Sequence, residues 1–257
     1  MRPIWNTIGG FTCSPLHFLD NEYLKICKGL LKAPHQKHRK QWEHVYIASQ
    51  LRRAGRLKPG MSGISFGCGR ERLVPAFANL GCKVLATDLH TEKSRSGWIN
   101  KGQHAAGLRA FEHLLPSVCP KQRFYKNTDF LPVDMNDIPR RLRSSFDFVW
   151  SSCSLEHLGS LELGLEFVVN SAKCLRPGGF AVHTTEFVTT SNKWTVETGP
   201  SVYYRRRDLA GLKNLLGMDY LLYPFHFGNK PTRTDGHYGI ERGGHYVTSI
   251  GIVLSRR

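Results

Sequence analysis

Short apolar runs and longer mixed segments alternate along the chain from residue 61 onward. This rhythm is typical of a parallel sheet with helices on both faces, because each buried strand needs a crossover helix to return the chain. The apolar runs predict strands at Gly63–Phe66, Lys83–Thr87, Arg123–Tyr125, Phe146–Trp150 and Gly179–Thr184. The segments between them predict helices at Glu71–Leu80, Gly97–Leu115 and Leu161–Leu175.

The end of the chain has a different pattern. After a predicted helix at Arg207–Leu216, an apolar run at Tyr220–Phe227 and an alternating run at Tyr246–Leu254 predict two further strands. Two late strands joined by a loop favour an antiparallel hairpin that closes the sheet. The pattern therefore predicts an α/β fold with a doubly wound, mostly parallel, seven-stranded sheet and a C-terminal antiparallel hairpin.

The first 60 residues look like an addition to this sheet domain. Within Gln41–Ala54, apolar residues from Trp42 to Leu51 recur at the spacing of a helix with one buried face. The sequence Lys58-Pro59-Gly60 then ends that helix. We predict an N-terminal helical extension at residues 1–60 and a single domain at residues 61–257.

Composition and charge limit the partners. Lysine and arginine number 36 against 20 acidic residues, so the net charge of +16 favours an anionic partner or substrate without choosing among nucleic acid, acidic glycan and membrane surface. The seven cysteines are never spaced as C-x-x-C, which indicates reduced thiols. No segment approaches the ~20 apolar residues of a membrane span. We therefore predict a cytoplasmic protein with no membrane span.

A glycine turn follows the first predicted strand of the sheet. Gly67 and Gly69 precede a helix, where glycine lets the backbone approach a ligand closely, although an ordinary tight turn has the same sequence. Asp88 ends the next strand, at the position where an acid accepts hydrogen bonds from a cofactor ribose. A nicotinamide dinucleotide could use both features, but Arg72 stands where the dinucleotide fingerprint has its third glycine.

Five motifs occur in a fixed order between about residues 60 and 185. They are Ser65–Gly69, Asp88, Asp134-Met135, Phe146–Val149 followed by Leu155–Leu158, and Leu175–Phe180. Together they resemble the motifs of class I S-adenosylmethionine-dependent methyltransferases, which have a Rossmann-like fold. Three later segments resemble bacterial members of this family that are associated with glycan or secondary-metabolite biosynthesis, namely Thr184–Phe187, Tyr203–Leu209 and Tyr246–Gly251.

The resemblance implies S-adenosylmethionine as cofactor and assigns it a set of binding residues. The glycine turn would pass along the methionine portion, Asp88 would bind the ribose, and Asp134 and Met135 would bind the adenine. Two serines at the end of the fourth strand would line the pocket around the sulfonium. The complete set is Gly67, Cys68, Gly69, Asp88, Leu89, Asp134, Met135, Ser151 and Ser152.

Candidate catalytic residues follow the fourth and fifth strands. His157 lies on the rim that open α/β sheets use for ligands, and Glu186 follows the fifth strand. Either could act as general base, although His157 could equally cap a helix, as could Glu156, and Glu186 could be an exposed loop acid. Some similar methyltransferases bind a divalent ion through E-x-x-E-H in this turn. Here Cys153 replaces the first acid, so we predict no metal.

Three functions compete at this point. The leading hypothesis is an enzyme that O-methylates a small molecule or saccharide, possibly an anionic one. The net charge keeps an RNA methyltransferase open but not favoured, because the sequence has no RNA-binding motif. A non-catalytic cofactor-binding protein on the same fold is the third. The sequence does not predict the oligomeric state.

Overall fold

The computed structural model describes residues 6–93, 99–100, 102–228, 239–242 and 244–257. The strands are β1 Gly10–Phe11, β2 Ser62–Phe66, β3 Lys83–Asp88, β4 Thr128–Pro132, β5 Phe146–Ser152, β6 Leu175–Val188, β7 Tyr220–Leu222, β8 Phe225–His226, β9 Gly239–Arg242 and β10 His245–Arg256. The α-helices are α1 Asn21–Lys25, α2 Arg39–Arg53, α3 Leu73–Asn79, α4 Leu115–Val118, α5 Lys121–Asn127, α6 Leu161–Ala172 and α7 Arg206–Leu215. Short 3-10 helices lie at Pro15–Leu19, Thr91–Lys93, Leu108–Phe111, Arg140–Leu142 and Leu155–His157, and a π-helical turn lies at Ile26–Leu30.

The central sheet has the order β4-β3-β2-β5-β6-β10-β7, with β9 paired to the start of β10. The five neighbouring strands β4, β3, β2, β5 and β6 are parallel, and β10 runs antiparallel to β6, β7 and β9. The predicted mostly parallel, doubly wound, seven-stranded sheet with a C-terminal hairpin is confirmed. Strand order reverses between β2 and β5, and in such sheets the ligand cleft opens there, at the carboxyl ends of the strands.

Three predicted elements were wrong. Arg123–Tyr125 is not a strand, because it lies in α5 after Pro120 and only Phe124 of the three is buried; the strand begins at Thr128. The predicted helix Gly97–Leu115 is not continuous, because its described part contains Gly102 with a left-handed φ of +63° and a short 3-10 helix at Leu108–Phe111. The predicted strand Tyr220–Phe227 is divided into β7 and β8, with Pro224 between them.

Helix α2 packs on the sheet against β5, β6 and β10. Its predicted apolar face is confirmed, since Trp42 and Tyr46 are completely buried. A Cβ atom at Gly251 of β10 would lie 2.0 Å from the Tyr46 ring, so glycine is needed for this close approach. The boundary predicted at residue 60 stays a prediction, and α2 shares one hydrophobic cluster with residues of β5 and β6.

A second hydrophobic cluster covers the opposite face of the sheet. It contains apolar residues of α6 and α7 together with those of β2, β5, β6 and β10. The sheet is therefore buried on both faces, as the continuous apolar character of its strands predicts. None of the described helices is both long and apolar enough to cross a membrane.

Candidate active site

The glycine turn between β2 and α3 is held open by two left-handed residues. Gly67 has φ +59° and Gly69 has φ +48°, a conformation that is costly for residues with a side chain. The backbone N–H of Cys68 donates to the Thr87 carbonyl of β3 at 2.9 Å. The Cys68 side chain is buried.

Asp88 binds the glycine turn to the end of β3. Its Oδ2 accepts hydrogen bonds from the backbone N–H groups of Gly69 (3.1 Å) and Ala105 (3.0 Å), and its Oδ1 accepts one from Leu89 (2.8 Å). Burial raises the pKa of the Asp88 carboxyl, and these donors oppose that rise. A Cβ at Gly69 would lie 2.5 Å from the Gln103 carbonyl oxygen, so the chain at residues 103–105 lies directly over the turn.

The adenine candidates lie beside the same turn. A Cβ atom at Gly67 would be 3.1 Å from the Met135 sulfur and 2.8 Å from Ser154, which places Met135 against the first glycine. The Ser154 hydroxyl donates to the Gly67 carbonyl at 3.1 Å. Asp134 accepts a hydrogen bond from the Asn136 N–H at 2.9 Å, which stabilises the local turn.

The two serines at the end of β5 have different environments. Ser151 is fully buried, with its hydroxyl 2.8 Å from His183 Nδ1. Burial lowers the pKa of His183 to about 3, so it is a neutral core histidine, and the Ser151 hydroxyl is committed to the core. The Ser152 hydroxyl instead donates to Glu43 Oε2 of α2 at 3.3 Å.

The two predicted bases, His157 and Glu186, contact different partners. Nδ1 of His157, in the 3-10 helix after β5, lies 2.9 Å from the Pro200 carbonyl oxygen and 3.2 Å from the Ser201 hydroxyl. Glu186 lies within β6, because that strand extends four residues beyond its predicted end, and it forms an ion pair with Arg39. Their catalytic roles stay predictions.

Arg39, Glu43, Cys153, Glu156 and Glu186 form a buried polar cluster at the carboxyl ends of β5 and β6, underneath the first turn of α2. Arg39 Nη1 lies 3.4 Å from Glu43 Oε1, and the Cys153 thiol donates to the same oxygen at 3.3 Å. Burial opposes ionisation of Glu43, but the nearby cationic side chains hold the pKa of its carboxyl below the usual value. The cluster therefore combines ionised groups in a site screened from water.

Glu156 differs from the other acids of the buried polar cluster. Its Oε2 accepts a hydrogen bond from the Thr185 hydroxyl at 3.1 Å, but its Oε1 has no hydrogen-bond partner among the described residues, although the side chain is completely buried. A buried polar atom without a partner costs free energy and marks a position where a ligand group can bind.

Three side chains at and near the turn after β5 could together hold a metal ion. Ligand atoms of Cys153, Glu156 and Glu186 lie within 4.8 Å of one another. Burial raises the pKa of the Cys153 thiol well above its ordinary value, which disfavours the thiolate that metals bind. The absence of a metal stays a prediction.

Sequence reasoning missed Arg39 and Glu43. Arg39 and Glu43 share the buried face of α2 with Trp42 and Tyr46, and this helical spacing was the one available signal. Charged residues on such a face are normally solvated, so their burial could not be inferred without their partners.

A comparison of the chain with models of protein families identifies the family to which it belongs. A family model described as a methyltransferase domain matches residues 36–217. The chain belongs to the class I S-adenosylmethionine-dependent methyltransferases. The fold, the enzyme class and the cofactor predicted from the five motifs are thereby confirmed. Among curated proteins no sequence match was found.

Solved methyltransferase structures share the fold of this methyltransferase at low sequence identity. Magnesium protoporphyrin IX methyltransferase from Synechocystis PCC 6803 with bound SAH has a TM-score of 0.52 and 13% identity, covering 85% of this chain and 83% of its own. The glycopeptide N-methyltransferase MtfA has a TM-score of 0.52 and 14% identity, with 84% and 90% covered. A methyltransferase from Methanosarcina mazei has a TM-score of 0.51 and 15% identity, with 79% and 95% covered.

Proposed function

We propose that this methyltransferase transfers a methyl group to a hydroxyl of a small molecule or saccharide, of the kind found in glycan or secondary-metabolite biosynthesis. The observation that carries the proposal is the buried Glu156 Oε1, which has no hydrogen-bond partner among the described residues. It lies beside the carboxyl end of β5, where a sheet of this topology binds its ligands. An acceptor hydroxyl would supply the missing donor.

The residues around the glycine turn fit S-adenosylmethionine, which supplies an activated methyl group on a sulfonium. The left-handed turn of Gly67, Cys68 and Gly69 leaves the backbone able to approach the cofactor closely. Asp88, together with Leu89, would hold the ribose. The adenine side would be formed by Asp134 and Met135, and the sulfonium side by the backbone of Ser151 and by Ser152.

An alkyl hydroxyl is a very weak acid, so a base near its proton would contribute to the rate. His157 and Glu186 remain our predicted candidates for this role. Glu156 is added as the group that orients the hydroxyl, because its unpartnered oxygen can accept the hydroxyl proton or its hydrogen bond. The net charge of +16 favours an anionic acceptor through long-range attraction.

The proposal is tested in two stages. Calorimetry with S-adenosylmethionine and S-adenosylhomocysteine should give binding heat, and Asp88→Ala should weaken that binding by ~1–3 kcal/mol through lost charge-assisted hydrogen bonds. Candidate acceptors are then screened with methyl-labelled cofactor, and mass spectrometry identifies the methylated atom. No binding heat from a folded sample would exclude the cofactor role, and a product methylated on nitrogen would overturn the choice of a hydroxyl.

The acceptor assay also tests the catalytic residues. Glu156→Gln and His157→Ala should each lower kcat roughly 10²-fold or more if the residue acts on the acceptor proton. Glu162→Gln, which changes an exposed acid of α6, serves as the matched control. Full activity of Glu156→Gln would remove this residue from the acceptor site.

RNA is the second candidate acceptor, and the charge of +16 is the observation that favours it. The basic stretch at residues 32–40 leads into α2. RNA affinity should then fall steeply with salt concentration, because bound counterions are released. Weak or salt-insensitive binding would dismiss RNA, and detection of any methylated product would dismiss a non-catalytic role.

A further inference from the structure

Glu71 follows the glycine turn, but its side chain reaches back over the sheet. Its Oε1 accepts a hydrogen bond from the Ser65 hydroxyl of β2 at 3.0 Å and one from Trp150 Nε1 of β5 at 2.7 Å. These residues pair with each other across the two central strands, where the strand order reverses. The carboxylate therefore lies near the carboxyl ends of these two strands, and only 8% of the residue is exposed.

The second oxygen of Glu71 has no cationic partner among the described residues. Oε2 lies 3.9 Å from His44 Nε2 of α2. Burial lowers the pKa of His44 to about 4, so His44 is neutral near pH 7. The carboxylates of Asp88 and Glu43 further oppose a negative charge on Glu71.

The hydrogen bonds from Ser65 and Trp150 favour the ionised form of Glu71, but burial outweighs them. The pKa of the Glu71 carboxyl is raised to about 8. A buried acid without a cation is costly unless it is neutral or unless a ligand supplies the positive charge.

We propose that Glu71 binds the α-ammonium group at the methionine end of the cofactor. This rests on the cofactor site of the proposed function, in which Asp88 takes the ribose at the end of β3. The methionine portion then extends along the turn toward the ends of β2 and β5, where the Glu71 carboxylate lies. The ammonium supplies the cation that the described residues around Glu71 lack.

A proton transfer accompanies this binding. The Glu71 carboxyl is largely protonated near pH 7 before the ligand arrives, and the ammonium stabilises the carboxylate in the complex. The proton passes to the buffer, while the ammonium keeps its own protons. Binding of a ligand with an α-ammonium therefore releases up to about one proton.

Two ligands separate this contact from the rest of the cofactor site. S-adenosylhomocysteine has the α-ammonium but no sulfonium, and 5′-methylthioadenosine has neither. Titration calorimetry of both ligands is performed on the full chain, its Glu71→Gln variant and the Glu162→Gln control. The side-chain amide introduced by Glu71→Gln retains an oxygen that can accept the hydrogen bonds from Ser65 and Trp150.

Glu71→Gln should weaken S-adenosylhomocysteine roughly 10- to 100-fold, the loss of one charge-assisted contact, and change 5′-methylthioadenosine less than about threefold. In the wild type, the heat of S-adenosylhomocysteine binding should vary with the ionisation enthalpy of the buffer, and this dependence should vanish in Glu71→Gln. The Glu162→Gln control should match the wild type in both properties.

Other outcomes overturn the inference. An equal loss for both ligands would make Glu71 a structural support of the turn, and unchanged affinity for both would remove it from the site. If the variant does not fold, the pH dependence of ligand binding to the wild type still tests the role of Glu71. The affinity for S-adenosylhomocysteine should rise between pH 6 and 8, while the affinity for 5′-methylthioadenosine should not change. Binding of neither ligand to the wild type would refute the cofactor site itself, whereas binding of 5′-methylthioadenosine alone would refute only the role of Glu71.

Discussion

Arg39 should be the most important charged residue for the stability of this fold. It lies in the first turn of α2, is only 3% exposed, and forms ion pairs with Glu43 and with Glu186. Those two acids are 0% and 2% exposed, so neither has water to replace a lost partner. The perturbation is Arg39→Met, which keeps an unbranched side chain of similar reach and removes the guanidinium.

The expected cost follows from the charges left behind. Glu186 loses the cation with which it pairs, whereas Glu43 keeps Lys40, whose Nζ lies 3.6 Å away. Removing one partner of a buried ion pair typically costs about 3–5 kcal/mol, because the other charge stays buried without compensation. For a chain of this length, that loss lowers the melting temperature by about 6–9 °C.

Urea unfolding followed by circular dichroism measures this cost, and α2 itself provides the control. Arg52 pairs with Glu22 at 3.6 Å, but the two side chains are 64% and 32% exposed, so Arg52→Met should cost less than ~1 kcal/mol. Combining Arg39→Met with Glu186→Leu should recover part of the loss, since the buried carboxylate that lost its ion pair is then removed as well. A cost for Arg39→Met no larger than that of the control would refute the buried pairing.

Three further predictions concern packing, pH and thiol reactivity. Gly251→Ala should destabilise the protein by about 1–3 kcal/mol, because the added methyl group would collide with the Tyr46 ring. Gly211→Ala on α7, where the surrounding space is open, should not destabilise it. Thermal unfolding of the two variants tests this difference. His183 has a pKa near 3 in the folded state, so the unfolded chain binds its proton first and stability falls as pH drops below ~6.5. The stability gap between wild type and His183→Asn should therefore shift by ~2–3 kcal/mol from pH 7 to pH 4.5 in urea titrations. All seven cysteines are free and buried, so iodoacetamide at neutral pH should leave the mass of the native protein unchanged, and a rapid adduct would contradict the burial.

The sheet could be predicted from sequence where local pattern and burial agree. Strands β2, β3, β5 and β10 are apolar over most of their length and are flanked by glycine, proline or charged residues, so their positions were right to within two residues. The strand predicted at Arg123–Tyr125 was wrong, because three residues with alternating polarity have the same pattern in a strand and on a short helix. Packing of Phe124 against Phe111, with ring centroids 5.8 Å apart, favours the helix.

The glycine turn could be predicted from the sequence, but the buried polar cluster could not. The glycine turn and Asp88 are close in the chain, and backbone conformation demands those residue types there. The buried polar cluster instead joins Arg39 to Glu186, which are 147 residues apart. No local pattern distinguishes such buried charges from solvated ones.

The strand pattern, the left-handed glycine turn and the acid at the end of β3 follow from the sequence alone, because each depends on backbone geometry or on the periodicity of burial over a few residues. Which charges are buried, and with which partners, depends on contacts between distant parts of the folded chain. The Glu71 carboxylate reaches Trp150 on another strand, and Arg39 meets Glu186 beneath α2. The ionisation of these groups depends on local desolvation and on neighbours that the folded chain alone brings together.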